Sequence, residues 1–183
     1  MNGGVWEDDA VHHVAFFRNV NQGQRGHPST SDLLRAFADI GVGGAVPFQS
    51  NGTVVFTADD GQRVADGVRE GLAARGVFDD GVYARPLEHI ELLVDRSSAG
   101  ADAGRTELTL FPVEAVIVDE PAAARAGERR RCRVVEHGPG FAVVVNDHDR
   151  QSNGTPTIEA VLGVPATSRG MPTLLRLIDR FGR

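Results

Sequence analysis

At 183 residues the chain is long enough for one ordinary domain or two small lobes sharing a core. Its net charge of −6 sets it apart from strongly basic nucleic-acid binders, although a local basic patch is compatible with that total. All 19 basic side chains are Arg, so Schiff-base chemistry and a P-loop lysine are excluded, and any anion must be held by Arg forks, hydroxyls or backbone N–H groups.

Residues 1–10 are polar and predict a loose N-terminus without a secretory pattern. "VHHVAFFR" predicts a strand ending at Arg18, and a polar loop runs from there to Pro28. His12 and His13 alternate along that strand, so they face opposite sides and do not share a metal. "STSDLLRAFADIG" predicts a helix: Ser29 and Asp32 have the spacing of a capping box, Leu33, Leu34, Phe37 and Ile40 share a face, and Gly41 stops it. "AVPFQS" and "TVVFTA" read as strands about an Asn51-Gly52 hairpin turn, with Pro47 placing the first at an edge; one strand with a bulge at Asn51-Gly52 is the alternative. "DDGQRVADGVREGLAARG" predicts a second helix, capped by Asp59 and Gln62 and ended by Gly76. "GVYAR" is a strand, and "PLEHIELLVDR" a third helix with Pro86 in its first turn.

The small-residue stretch "SSAGADAG" reads as a connector. Strands are expected at "RTELTLFPV", "EAVIVD", "RCRVVEHG" and "GFAVVVND", the last two forming a hairpin through Gly138-Pro139-Gly140. "TPTIEAVLG" predicts a short helix with Thr155 as its cap. "PTLLRLIDRFGR" predicts an amphipathic one presenting Leu174, Leu177, Ile178 and Phe181. No internal repeat is visible. The alternation of elements implies an α/β (α+β) fold, a mixed or antiparallel sheet with helices packed on it. The expected organisation is a loose 1–10, an N-terminal lobe over 11–98, a connector at 99–104 and a C-terminal lobe over 105–183.

Three segments together resemble one family. "HVAFFRNVNQGQ" is similar to a "YVALLRGINVGG" opening, "SDLLRAFADIGVGGAVPFQSNGTVVF" to a helix followed by an "IQSGNVVF" strand, and "LGVPATSRGMPTLLRLIDRF" to an "LGxPATARNWNTVxKL" ending. In that order and spacing they resemble the bacterial domain-of-unknown-function family 1697. The resemblance implies ferredoxin-like plait lobes and no particular reaction. The positions matching its motifs are Arg18, Asn21, Gln49, Ser50, Thr167 and Arg169. The family's Gly after the first Arg is Asn19 here, and its Asn-Trp pair is Gly170-Met171.

Candidate chemistry centres on Arg18 and Arg169, each at an element end. With Asn21, Gln49 and Ser50 they would bind a small anionic or phosphate-bearing ligand, Arg169 at the N-terminus of the last helix. A salt bridge or loop anchor explains the same letters. Gly23–Gly26 has the GXXG letters of a nucleic-acid clamp but follows a strand instead of joining two helices, so nucleic acid is not expected. His148, between Asp147 and Asp149, suits a base or simply a polar turn, and His27 is a second candidate base. Cys132 lies among arginines, which lower a thiol pKa, yet strand alternation turns it inward. "ERRRCR" reads as a solvated hairpin edge. The resulting expectation is a cytoplasmic, non-catalytic binding protein needing no cofactor, metal or membrane. The alternatives are an enzyme of unrecorded chemistry using the same pocket, and an interaction protein with a vestigial one.

Overall fold

The computed structural model describes residues 11–22, 24–98 and 102–182. The expected loose N-terminus 1–10 lies outside these residues, as do positions 99–101 of the expected connector. The contacts divide the chain into two units, Met1–Leu87 and Glu88–Arg183. Each holds a four-stranded antiparallel sheet, and six α-helices are distributed over the described residues.

In the first unit, β1 (His12–Phe17) is central. It pairs with β3 (Thr53–Thr57) on one side and β4 (Val82–Pro86) on the other, and β2 (Val46–Phe48) adds to β3. The order β2-β3-β1-β4 puts the Pro47-bearing strand at an edge, where its missing N–H breaks no ladder. Helices α1 (Thr30–Asp39) and α2 (Gly61–Ala74) lie on one face. Alternation along the strands brings Ala15, Phe17, Val54, Phe56, Val82 and Ala84 to that face, under Leu33, Phe37, Val68 and Leu72.

Local signals fix these helices. Ser29 and Asp32 form the reciprocal capping box: Asp32 N donates to Ser29 Oγ at 3.1 Å, and Ser29 N to Asp32 Oδ2 at 2.9 Å. At α2 the cap is Asp60, not Asp59; its carboxylate accepts from Arg63 N at 3.0 Å. Gln62 is consequently no part of a cap. It reaches the outer side of β4, donating to Val82 O at 3.1 Å and accepting from Ala84 N at 2.9 Å. The amide thereby occupies backbone groups that an edge strand leaves open. The N-terminus of α2 sits directly on β1, since a Cβ on Gly61 would overlap the His13 ring. His13 is buried there, 5.8 Å from the Phe56 ring, and burial pushes its pKa below the ordinary value.

The second unit repeats the topology. Its central strand β5 (Thr106–Leu110) pairs with β7 (Phe141–Asn146) and β8 (Thr167–Gly170), and β6 (Cys132–Gly138) adds to β7, in the order β6-β7-β5-β8. Helices α4 (Glu120–Arg130) and α5 (Gly154–Leu162) cover one face around Phe111, Ile117, Cys132, Val144 and Ile158. From α3 (Leu87–Ser97), His89 meets the Phe141 ring edge-on at 6.0 Å, and α6 (Met171–Phe181) buries Met171, Leu174 and Leu177. The Pro139-Gly140 turn closes the β6–β7 hairpin, with Gly140 at φ 72° as a type II turn requires.

Several sequence expectations change here. "EAVIVD" is not a strand: Ile117 enters the core while Val116 and Val118 face solvent. The following "PAAARAGERR" lies in α4, a helix absent from the sequence expectation. It is capped by Asp119, which accepts from Ala122 N at 2.8 Å. The "ERRR" arginines therefore leave the hairpin: Arg129 and Arg130 end α4, where the helix dipole favours cations, and Arg131 turns the chain at φ 58°. α5 is capped at Asn153, not Thr155, and Arg169 lies within the edge strand β8.

The duplication extends to single bonds. Phe17 N donates to Gly52 O at 2.8 Å, and Phe111 N to Gly140 O at 3.2 Å. Arg85 lies opposite Val14 as Arg169 lies opposite Leu108. Each guanidinium donates to the carbonyl of the residue before it, at 2.8 and 2.9 Å.

Two glycines of α2 should respond oppositely to alanine. Gly61→Ala drives a methyl into His13 and is expected to cost about 1–3 kcal/mol. At Gly71 nothing lies within 4 Å of a Cβ, so Gly71→Ala is expected to stabilise by about 0.5–1 kcal/mol. Denaturant titration of both variants checks the contrast. The capping box gives an acid signature. Bonding from the Ser29 side chain, then its backbone N–H, holds the Asp32 carboxyl below its usual 3.8. The unfolded chain therefore takes up the proton first as pH falls. The stabilisation is complete above the usual carboxylate value and is lost as pH drops through the folded one. Ser29→Ala should cost about 1 kcal/mol at pH 7, a difference that shrinks below that window. Paired melting curves from pH 7 to pH 2, as an approximate span of that titration, would read it.

Candidate functional site

The residues singled out in the first unit gather at one end of its sheet. An antiparallel order puts the exit of β1, the β2–β3 turn and the entry to β4 together there. Arg18 leaves β1 with its backbone N–H on Gly81 O at 2.8 Å. Its guanidinium donates to Asp80 Oδ2 at 2.7 Å, and Asn19 Nδ2 donates to the same oxygen at 3.0 Å. The other Asp80 oxygen accepts from Gly81 N at 2.7 Å. One carboxylate thus ties the loop after β1 to the entry of β4 and balances the Arg18 charge. Asn19 takes a left-handed φ of 52°, a conformation glycine adopts without strain and asparagine tolerates.

Beyond Arg18 the loop folds on itself. Asn21 N donates to His27 Nδ1 at 3.2 Å, which leaves the His27 proton on Nε2. Gln22 bridges three elements. Its N–H donates to Ser50 O at 2.7 Å, and its Oε1 accepts from Thr30 Oγ1, in the first turn of α1, at 2.6 Å. Its Nε2 is buried and has no acceptor among the described residues. Gln49 bends the β2–β3 turn at φ 57°, and a Cβ on Gly52 (φ 69°) would meet Val20 at 2.6 Å, so the turn is seated against the loop. Arg18, Asn21, Gln49 and Ser50 therefore share one neighbourhood. A cleft of about 300 Å³ opens beside it, lined by Arg18, Asn19, His27, Pro28, Phe78 and Asp80 among others.

Arg169 belongs to the second unit. Its guanidinium donates to Thr167 Oγ1 at 3.0 Å and to Ser168 O at 2.9 Å. Some of the residue's surface stays open, but the packed protein around the guanidinium lowers its pKa to about 10, which leaves it charged at neutral pH. Asp80 and the Gln22 amide escaped the sequence reading. The "FDDG" turn holding Asp80 carries no signal pointing 62 positions back to Arg18.

Other reactive candidates have structural settings. Cys132 is buried, 3.2 Å from Thr157 Oγ1, and burial pushes its thiol pKa up, away from a nucleophilic thiolate. His148 is exposed in the turn after β7. Gly23, the first glycine of the GXXG letters, lies outside the described residues. Among the described residues no three His, Cys, Asp or Glu side chains group as a metal site, and no helix is long and apolar enough to cross a membrane.

A comparison with curated proteins finds no match. The structure of the conserved bacterial protein SP0830 from Streptococcus pneumoniae superposes with a TM-score of 0.60, over 92% of this chain and 97% of that one. At 14% identity this similarity speaks for the fold alone. A family model described as a protein of unknown function, DUF1697, matches residues 11–136, from β1 into β6, and stops before the "VPATSRG" segment. With more than half of its length matched, the chain belongs to domain-of-unknown-function family 1697.

Proposed function

We propose that this family member is a non-catalytic cytoplasmic binding protein, each unit a ferredoxin-like plait, for a small ligand bearing phosphate or carboxylate oxygens. The ligand would lie where the β1–α1 loop meets the β2–β3 turn. The observation carrying this reading is the Gln22 amide nitrogen, a buried donor without an acceptor beside the opening of α1. Leaving such a donor unmade costs about 1–3 kcal/mol, and a ligand oxygen would recover it. The opening of α1 adds the positive pole of its dipole, offset in part by the Asp32 carboxylate of the capping box. Asn21, Gln49 and Ser50 supply further polar groups, and Arg18, already paired with Asp80, holds the loop in shape while contributing positive potential.

Thermal shift with inorganic phosphate, sugar phosphates, nucleotides and small carboxylates tests the reading, since a ligand of the folded state raises apparent stability by mass action. At least one compound is expected to raise Tm by about 3 °C or more at roughly 100-fold excess over Kd. Gln22→Leu should abolish that shift; it removes the orphan donor together with the Oε1 acceptor of Thr30, so the two effects oppose and the unliganded Tm is expected to change little. A panel without any shift, or a shift that survives Gln22→Leu, overturns the assignment.

A further inference from the structure

We propose that the chain pairs with a second copy of itself through the outer edge of β6, in antiparallel register about the Val134–Val135 junction. The sheet edges differ in how they are protected. β2 is three residues long and carries Pro47, β4 is covered by the Gln62 amide, and β8 is four residues long. β6 is a seven-residue edge without proline. Its outer side makes no backbone hydrogen bond to another described residue. Such an edge is a template for strand pairing.

The occupant follows from charge and register. Antiparallel pairing of two β6 strands about the Val134–Val135 junction sets Arg133 opposite Glu136 of the second copy, and Glu136 opposite its Arg133. Val134 and Val135 then face each other twice. Opposite charges directly across a ladder stabilise it, and like charges oppose it. In a regular strand residues three apart lie on opposite faces, so this register would not extend one continuous sheet. The bulge in β6 removes that obstacle. Arg133 pairs with Val145 and Glu136 with Val143, two apart on β7, so both side chains lie on one face, while Val134, opposite Val144, lies on the other. Arg96 of α3, paired with Glu136, lies on the face shared by Arg133 and Glu136 and extends the charge network there.

Apolar surface follows the same line. Val135 is 50% exposed, and beside it a cleft of about 430 Å³ runs between β6 and the start of α4, floored by Pro121, Ala123, Val134 and Val135. A second β6 strand would lay its own Val135 against this floor. The arrangement joins two four-stranded sheets into one, with α4 and α5 of both copies on a common face.

Sedimentation velocity across about 1 µM to 1 mM tests the proposal, a span covering weak to moderate affinities. The wild type is expected to dimerise. Arg133→Glu and Glu136→Arg should each weaken the dimer about tenfold or more by setting like charges opposite one another. Mixing the two variants should form a heterodimer, because the paired acidic side chains of one copy then face the paired basic side chains of the other. Circular dichroism melts confirm that each variant is folded. Should one not be, Val135→Lys, at an exposed position, takes its place and is expected to be monomeric. A wild type monomeric over the whole range overturns the proposal. So does a dimer indifferent to the single substitutions, or a mixture that fails to associate.

Discussion

In each unit the architecture depends on how closely one helix N-terminus is pressed onto the central strand. α2 starts at Gly61 over His13, and α5 starts at Gly154 over Glu107, Thr109 and Ser168; a Cβ on either glycine would overlap a side-chain atom. That approach sets the height of the helix above the sheet and hence which side chains fill the layer between them. It also brings backbone N–H groups into the interior, where they need acceptors. The units answer differently. Gly154 N donates to the buried Glu107 carboxylate at 2.9 Å, and beside it the hydroxyls of Thr109 and Thr155 each bond the Ser168 hydroxyl at 2.8 Å. In the first unit the corresponding strand position holds His13, whose lowered pKa keeps the ring neutral, stacked on Phe56 and bonded to Val11 O at 3.2 Å.

This difference explains why a duplicated topology leaves no visible repeat. His13 stands where Glu107 stands, and Ala15 where Thr109 stands, so the contact beneath the helix N-terminus is mainly apolar in one unit and polar in the other, while both keep an apolar core. What persists is the conformation-setting chemistry: a glycine where a helix meets the central strand, a glycine at φ 69° or 72° closing each hairpin, and a bond from the end of the central strand to that turn. Topology tolerates exchanged side chains provided that burial and backbone satisfaction are kept.

The same distinction marks what the sequence makes legible. Features decided within a few residues can be read directly: the Ser29–Asp32 box, the Asn51-Gly52 and Pro139-Gly140 turns, and the edge position of Pro47. α4 escapes because its alanine-rich stretch has little apolar contrast; only Ala123, Ala126 and Gly127 are buried, and Gly127 lies against the Cys132 carbonyl. β8 escapes because its four residues run straight into α6. "EAVIVD" misleads because valines alternate there as in a strand, while Ala115 gives its carbonyl to Gly140 N and no ladder forms.

At the candidate site, the grouping of the first-unit residues follows from topology, whereas their electrostatics does not. Arg18, Asn21, Gln49 and Ser50 converge because an antiparallel sheet returns the end of β1 and the β2–β3 turn to the same rim, a consequence of strand order that short-range pattern supports. The meaning of Arg18 depends on Asp80, distant in sequence and 2.7 Å away in space. A cation paired in this way has less field to offer a ligand than its letter suggests, and much of its energy goes into holding the loop. On the proposed reading, selectivity at this rim would pass to groups whose hydrogen-bonding capacity is unspent, and the Gln22 amide nitrogen is such a group, buried among the described residues. Recognition would then rest on the direction of a donor more than on net charge, which fits a chain that carries an overall negative charge and no lysine.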